Sequence, residues 1–505
     1  MSTASACMTI SFTFARMIKL SDKLFQGFIP GLALLLLLQA MMFSSCRKEE
    51  DFDTSPSLKL SFSEDSVLFD TVFSTLGSAT RILMVYNSSK KPVLISAAGL
   101  EKGPESQFRL NVDGISSHLA NDIEIGAEDS IYVFVKVRVD PTSQNSPLVV
   151  TDRLFFETNG NLQTVDLVAW GQDAHYIVAN KFVEGLPPYR IVASGNQTVT
   201  WSNDKPFLIY GYAVVDSLGV LNIEKGCRIH FHNNSGLWVY RFGSLRVNGT
   251  LDERVVFQGD RLEESYQDVS GQWDRIWLNE GSVDNVINYA VIKNGFIGLQ
   301  LETLLSSEGN KLMLSNTVIH NMSGWGIFTR FYRLEAWNCE ISGCGLDNVY
   351  LSTGGDYDFR HCTMGNYWSG TVRKTPAVLI SNFYKNEYTQ TLYTGDLKRA
   401  FFGNCIIYGN LEDEFITAKE EGVMFNYRLD HCLVKTAHVS DSLVSCIRNQ
   451  DPLFLDIEKH DYTLKESSPA RGAGSVEIAT PFPNDLPGNP RLPSPDLGAY
   501  QFMPR

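Results

Sequence analysis

The sequence predicts an all-β chain in which an antiparallel sandwich precedes a long solenoid of short strands. Two observations carry that expectation. Six-residue units with shared columns recur between 287 and 434. Apolar alternation at period two, broken by turn residues at sandwich-like spacing, fills residues 57–172.

The repeating units begin Ile287-Asn288-Tyr289-Ala290-Val291-Ile292, Leu314-Ser315-Asn316-Thr317-Val318-Ile319 and Ala336-Trp337-Asn338-Cys339-Glu340-Ile341, and continue at Phe359–Met364, Phe402–Ile407 and Leu429–Val434. The first column is apolar, the third mostly Asn or His, the fourth small and the sixth aliphatic. Third-column residues lie 27, 22, 23, 43 and 27 positions apart, a unit of about 22 residues plus insertions. Columns one, four and six cannot share a face at period two, so each unit reads as two short strands joined by a one-residue corner at column three. Asn tolerates the left-handed backbone that such a corner needs. A coil of this length with these corners resembles the right-handed parallel β-helix of the pectate-lyase-like superfamily. The resemblance implies corner Asn side chains stacked in a ladder, with coils about 4.8 Å apart. A seventh coil fits the 43-residue gap with Ile380 and Asn382 in phase, although Lys385 falls on the sixth column.

The flanks extend the likeness. Gly226–Ile229, Gly243–Thr250, Val256-Phe257 and Gly271-Gln272-Trp273 resemble the opening coils of secreted bacterial β-helix proteins. Asp451–Phe454, Tyr462-Thr463-Leu464, Ser468-Pro469-Ala470, Gly488–Arg491 and Pro495–Tyr500 resemble their terminal segment. The β-helix is therefore assigned to 220–450 and its closing segment to 451–505. Residues 173–219, with Pro187-Pro188, are read as a linker and cap, which an apolar solenoid end needs for solubility.

Within 57–172, strands are expected at Ser66–Asp70, Arg81–Tyr86, Pro92–Ser96, Ile131–Val139, Asp152–Glu157 and Gln163–Trp170. With Asn87-Ser88-Ser89, Phe108-Arg109-Leu110 and Ile125–Ser130, the segment resembles the immunoglobulin-like modules of surface and ciliary proteins, which serve as spacers or adhesion domains.

The N-terminus points to export. Lys19 and Lys23 precede Gly31–Phe43, a run of 13 residues that is apolar except for Gln39 and too short to span a bilayer comfortably. It ends at Phe43-Ser44-Ser45-Cys46, which resembles a bacterial lipobox and implies a signal peptide over 1–45, lipidation of Cys46 and an acidic tether over 46–56. Phe43 departs from the usual Leu of that motif. Lys48-Glu49-Glu50-Asp51 resembles the surface-export signal of Bacteroidetes lipoproteins, which implies a protein held by acyl chains on the outer membrane and facing outward. Its partners would be the membrane, through that anchor, and a polysaccharide or surface protein. Without residues 1–45 the chain keeps 40 basic and 56 acidic residues, a net −16, which argues against nucleic acid.

Seven cysteines follow the anchor, at 227, 339, 344, 362, 405, 432 and 446, and four occupy the fourth column. Parallel Cβ vectors about 4.8 Å apart lie outside the range disulfides prefer, so these residues are read as compact filling for a narrow core. No metal or cofactor is expected, because no Cys-x-x-Cys pair occurs and no His shares the cysteine face.

In β-helix enzymes the substrate lies along the first strand of successive coils, here Gly298–Glu302, Gly326–Arg330 and Asn348–Ser352. With Leu299, Ile327 and Val349 inward, Gln300, Phe328 and Tyr350 form one outward column, and Glu302, Arg330 and Ser352 the next. Trp325, Tyr367 and Trp368 fall in nearby turns. Aromatic faces beside hydrogen-bonding groups suit sugar rings, so Gln300, Glu302, Phe328, Arg330 and Tyr350 are the candidate ligand-binding residues.

For catalysis, Asp347, Asp356 and Asp358 are the candidate carboxylates, but Asp356 and Asp358 sit beside Gly354-Gly355 and read as turn residues. The Asn-Thr-Asp, paired-Asp, Gly-His-Gly and Arg-Ile-Lys set of polygalacturonases is absent, as are the Trp-Ile-Asp-His and Arg-x-Pro-x-x-Arg motifs of pectate lyases. Two readings therefore stand: a non-catalytic adhesion protein binding a glycan or protein on the β-helix face, or a polysaccharide lyase or glycoside hydrolase acting on extracellular polysaccharide. Asp65-Ser66-Val67, Asp70-Thr71-Val72, Asp129-Ser130-Ile131, Asp216-Ser217-Leu218 and Asp441-Ser442-Leu443 also resemble the Bacteroidetes O-glycosylation triplet.

Overall fold

The computed structural model describes residues 51–504 except 75–76, 141–147, 280, 304–311 and 387–388. Residues 1–45, read as a signal peptide, and Cys46 lie outside the described residues. Among the described residues no helix is long and apolar enough to cross a membrane.

The N-terminal region is a sandwich of two five-stranded sheets. One orders Ser61–Phe62, Arg81–Tyr86, Ser130–Val137, Phe108–Val112 and Ile115–Ser116; the other orders Ser66–Phe73, Asn161–Gln172, Leu148–Thr158, Val93–Leu100 and Leu119–Ile125. Alternate residues of both sheets, among them Leu83, Val85, Val133 and Val135 against Leu154, Phe156, Val165 and Leu167, meet in one core. Pairing is antiparallel except between Ser66–Phe73 and Asn161–Gln172. Leu119–Ile125 escaped the sequence reading because Asp122 adopts φ 55° and interrupts its alternation.

From His175 to Arg448 the chain winds into a solenoid whose stacked strands are all parallel and form three faces. In each coil but the last a strand of the third face is followed by one of the first and one of the second. The third face stacks eleven strands, from His175–Val178 through Phe207–Tyr210 to Ile447–Arg448. The coils thus begin within the segment read as a linker: His175–Val178, Tyr189–Ala193 and Thr198–Trp201 pair in register with the coil above. Their sequence hid this because no six-residue corner unit marks them.

Each six-residue unit is the corner between the second and third faces. Tyr289, Asn316, Asn338, His361, Asn404 and His431 all take φ between 48° and 52°, and Ser445 takes 52° at the next coil. Side chains form a ladder along this edge: Asn316 Nδ2 donates to Asn288 Oδ1 at 2.9 Å, Asn338 Nδ2 to Asn316 Oδ1 at 3.2 Å, and Asn404 Nδ2 lies 3.1 Å from His361 Nε2. Inward residues such as Leu299, Ile327, Val349, Leu314, Ile319 and Ile341 form one continuous core. Cys339, Cys362, Cys405, Cys432 and Cys446 stack inside it, unbridged, with Sγ atoms against carbonyls of their own and neighbouring coils. Burial pushes the thiols of Cys339 and Cys405 upward, so they pack as neutral groups.

Two expectations need correction. Phe383–Lys385 is not a third-face strand; it forms an antiparallel hairpin with Leu392–Thr394, and Thr363–Asn366 pairs directly with Ile406–Gly409. The 43-residue spacing is one coil carrying an insertion. Asp356 and Asp358 are not turn residues either. Val349–Arg360 runs unbroken through the bend between the first and second faces, where Thr353, Gly354 and Gly355 take φ of 61°, 78° and 131°. A Cβ on Gly354 would lie 2.5 Å from the Gly395 carbonyl, so the bend excludes a side chain there.

The closing segment runs back over the third face. Phe454, Tyr462, Leu464, Ala470 and Leu497 pack on Ile406 and Leu433. Ser475 exchanges bonds with the Asn404 amide at 2.8 and 2.9 Å, Ala499 N donates to Thr363 Oγ1 at 2.9 Å, and Arg491 donates to Asn338 Oδ1 at 3.0 Å.

Candidate functional site

The first face is where the outward side chains become unusual. Parallel register places Ile191, Val214, Trp238, Trp277, Gln300, Phe328, Tyr350, Leu379 and Ile416 in one outward column crossing nine coils. An outward column of a solvated sheet is ordinarily polar. Trp238 and Trp277 stack with centroids 5.1 Å apart, and Phe328 and Tyr350 lie 5.4 Å apart. Trp325 adds its ring 5.5 Å from Phe328, with Phe296 beyond it at 6.1 Å. Tyr189, Tyr212 and Tyr240 pack around Trp238.

Polar groups between these rings are bonded to each other. Arg275 joins the Asp274 carboxylate at 2.8 Å and also donates to Gln300 Oε1. Trp277 Nε1 donates to Glu302 Oε2 at 3.0 Å, and Arg330 Nε to Glu302 Oε1 at 2.7 Å. Gln300, Glu302, Phe328, Arg330 and Tyr350 therefore come together on one face, as the period-two reading expects. Their roles differ. Gln300 is 6% exposed and Glu302 8%, because Arg275, Trp277 and Arg330 fold across them. These two hold the Trp277 indole and the two guanidinium groups in place, while the half-buried rings of Trp277, Phe328 and Tyr350 and the exposed Phe296 present the surface.

Of the acidic candidates, Asp356 and Asp358 share the Arg399 guanidinium, and Asp347 stands apart from them. Asp356 accepts Arg399 Nε at 2.8 Å, and Asp358 accepts Arg360 Nε at 2.9 Å and Arg399 Nη1 at 3.0 Å, all on the second face. Asp347 sits on the turn leading into the first face, 2% exposed, where Oδ2 accepts Trp325 Nε1 at 3.0 Å. Burial pushes its carboxyl up to about 7. It orients the Trp325 ring beside Phe328. Among the described residues no group of three or more His, Cys, Asp or Glu is arranged to hold a metal ion.

Sequence reasoning missed Trp238, Trp277 and the tyrosines beside them. Leu237-Trp238-Val239 and Ile276-Trp277-Leu278 alternate inward and outward as Leu299-Gln300-Leu301 does, but these coils lie upstream of the corner units that set the phase.

No family model matches this chain, and no curated protein does. Among solved structures, it is similar to the catalytic unit of a thermostable GH87 α-1,3-glucanase from Streptomyces thermodiastaticus strain HF3-3, at 12% identity and TM-score 0.24, covering 70% of this chain and 79% of that one. It is also similar to a family 123 glycoside hydrolase from Clostridium perfringens, at 7% identity and TM-score 0.16, covering 23% of this chain and 30% of that one. Likenesses this distant carry no residue role across.

Proposed function

We propose that this protein is a lipoprotein anchored through Cys46 at the bacterial outer surface, and that the first face of its solenoid binds an extended glycan. The observation that supports this reading is the outward aromatic column running from Trp238 and Trp277 to Phe328 and Tyr350. Its rungs repeat at about the strand spacing of 4.8 Å, so a polymer laid along the solenoid meets a ring or a bonded polar group at each coil from Trp277 to Tyr350. Stacking on fixed rings loses little side-chain entropy, since Glu302 and Asp347 already hold Trp277 and Trp325. The sandwich then stands between anchor and binding face as a spacer.

The test is a binding screen of neutral and uronic-acid polysaccharides by affinity electrophoresis, with product analysis for chain cleavage. Retention without cleavage is expected, and Trp277→Ala should weaken it about tenfold or more, a loss of about 1.4 kcal/mol. Retention that Trp277→Ala and Phe328→Ala leave unchanged would remove the first face from the reading. Cleavage would replace adhesion with the lyase or hydrolase alternative. The anchor is tested separately: Cys46→Ser should move the protein from the membrane fraction to the soluble fraction of a bacterial host, and continued membrane retention would refute lipidation at that residue.

A further inference from the structure

We infer that a cleft at the corner between the third and first faces is a second ligand site, taking a single neutral sugar ring or a polyol of that size. The cleft encloses about 390 Å³, within the range of small-molecule sites and too small for a folded partner. Its walls come from chain segments far apart in sequence: the coil corners at Asn321 and Gly343, the excursion Asp268–Ser270, the insertion Tyr367–Gly370 and the turn Ile457–Tyr462 of the closing segment.

Each wall is held in place. Asn321 Nδ2 donates to the Asp268 carbonyl at 2.9 Å and to Asn294 Oδ1 at 2.7 Å. Trp368 Nε1 donates to Thr371 Oγ1 at 3.0 Å, which sets the indole plane. A Cβ on Gly345 would approach that ring at 3.3 Å, so the indole rests on the coil beneath it. Tyr367 adds aromatic surface, backed by the buried Tyr462 ring 6.3 Å away. An apolar ring face opposite polar edges is what a sugar requires, since its C–H face stacks and its hydroxyls point outward.

The polar edges point to the class of ligand. His460 lines the cleft, and its ring lies 5.6 Å from that of His320. The Nδ1 atoms of both are buried and have no hydrogen-bond partner among the described residues. Burial and the neighbouring imidazole push His320 down to about 3, so it is neutral at physiological pH. A hydroxyl group, which both donates and accepts, can pair with the buried His460 Nδ1 whichever role that nitrogen takes. Asp268 and Glu458 stand on the rim, and no Lys or Arg lines the cleft. A uronate or a phosphate would meet the Asp268 and Glu458 carboxylates there, with no Lys or Arg to hold it.

The experiment uses the mature chain with ¹⁵N-labelled tryptophan indoles, titrated with glucose, galactose, mannose and N-acetylglucosamine, and with glucuronate and galacturonate as anionic counterparts. A saturable shift of the Trp368 indole resonance by at least one neutral probe is expected, with at least tenfold weaker response to the uronates. Trp277→Ala should leave that shift intact while weakening polysaccharide retention, and Trp368→Ala should leave polysaccharide retention intact, so the two sites fail separately. Glu458→Lys changes an exposed residue at the rim of the cleft, and should admit the uronates. Absence of any saturable shift with the neutral probes would overturn the proposal. So would uronates that bind the unaltered protein as well as the neutral sugars do.

Discussion

Glu414→Gln is expected to destabilise the protein by about 3–5 kcal/mol, measured as a fall in the urea midpoint at unchanged m-value. Arg373 and Glu414 form an ion pair whose side chains are 1% and 0% exposed. Arg373 Nη1 donates to Glu414 Oε2 at 2.8 Å and to the Thr375 carbonyl at 2.6 Å; Nη2 donates to the Asn366 carbonyl at 2.9 Å, to Asn410 Oδ1 at 2.6 Å and to Glu414 Oε1. Glu414 also accepts the backbone N–H groups of Ala377 and Leu411, each at 2.8 Å. Glutamine keeps the shape but removes the negative charge, leaving a guanidinium buried without its counter-ion. The pair is more than an isolated contact, because it fastens the 367–377 insertion, which carries Tyr367 and Trp368 into the corner cleft. Arg373→Met together with Glu414→Met should cost less than Glu414→Gln, since no uncompensated charge remains, although the Ala377 and Leu411 donors still lose an acceptor. A Glu414→Gln protein within 1 kcal/mol of the parent would show that this pair does not hold the insertion.

The second large effect is on pH dependence and comes from Glu340. It faces outward from the third face but is covered by the closing segment: Ser342 Oγ donates to it at 2.7 Å, and the Tyr500 hydroxyl donates as well. Burial pushes its carboxyl up to about 7. The unfolded chain ionises such a group near 4.5, so between roughly pH 4.5 and 7 the folded state binds the proton that the unfolded state has lost. Its contribution is fully present below the lower value and is lost as pH rises through the upper one. Asp347 acts in the same direction over its own window, from 3.8 to about 7. His230 and His320, pushed down to about 4 and about 3 by burial, act oppositely, adding stability as pH rises toward 6.5. The total therefore blends opposing slopes, and the difference between parent and Glu340→Gln isolates one of them. That difference should favour the parent at pH 4.5 and shift toward the variant by up to about 3 kcal/mol at pH 8. Parallel stability curves for the two proteins would place Glu340 in contact with water.

Much of the architecture was legible because a solenoid writes its geometry into the chain locally. Asn338 and Asn404 were readable as corners, since a left-handed residue between two apolar columns has few alternatives. Cys339 and Cys405 were readable as filling, since their column position sets their direction. The coils before 220 were not legible, because they lack the six-residue corner unit, and neither was the closing segment's course over the third face, which depends on contacts such as Ala499 to Thr363 across 136 residues. In the candidate site, period two alone brought Gln300, Phe328 and Tyr350 together. It left out Trp238 and Trp277, which only the stacking register adds to the same column.

By itself, then, the sequence determined the coil, its corners, its inward columns and the direction of each outward side chain, because all of these follow from backbone periodicity within one unit. Only the tertiary structure decided which outward groups are free. Arg275, Trp277 and Arg330 reach Gln300 and Glu302 from neighbouring coils and take up their hydrogen-bonding capacity. The corner cleft likewise exists only where three distant segments meet over Asn321 and Gly343. A side chain's direction is set by local backbone geometry, but its availability depends on which long neighbours arrive from elsewhere in the chain.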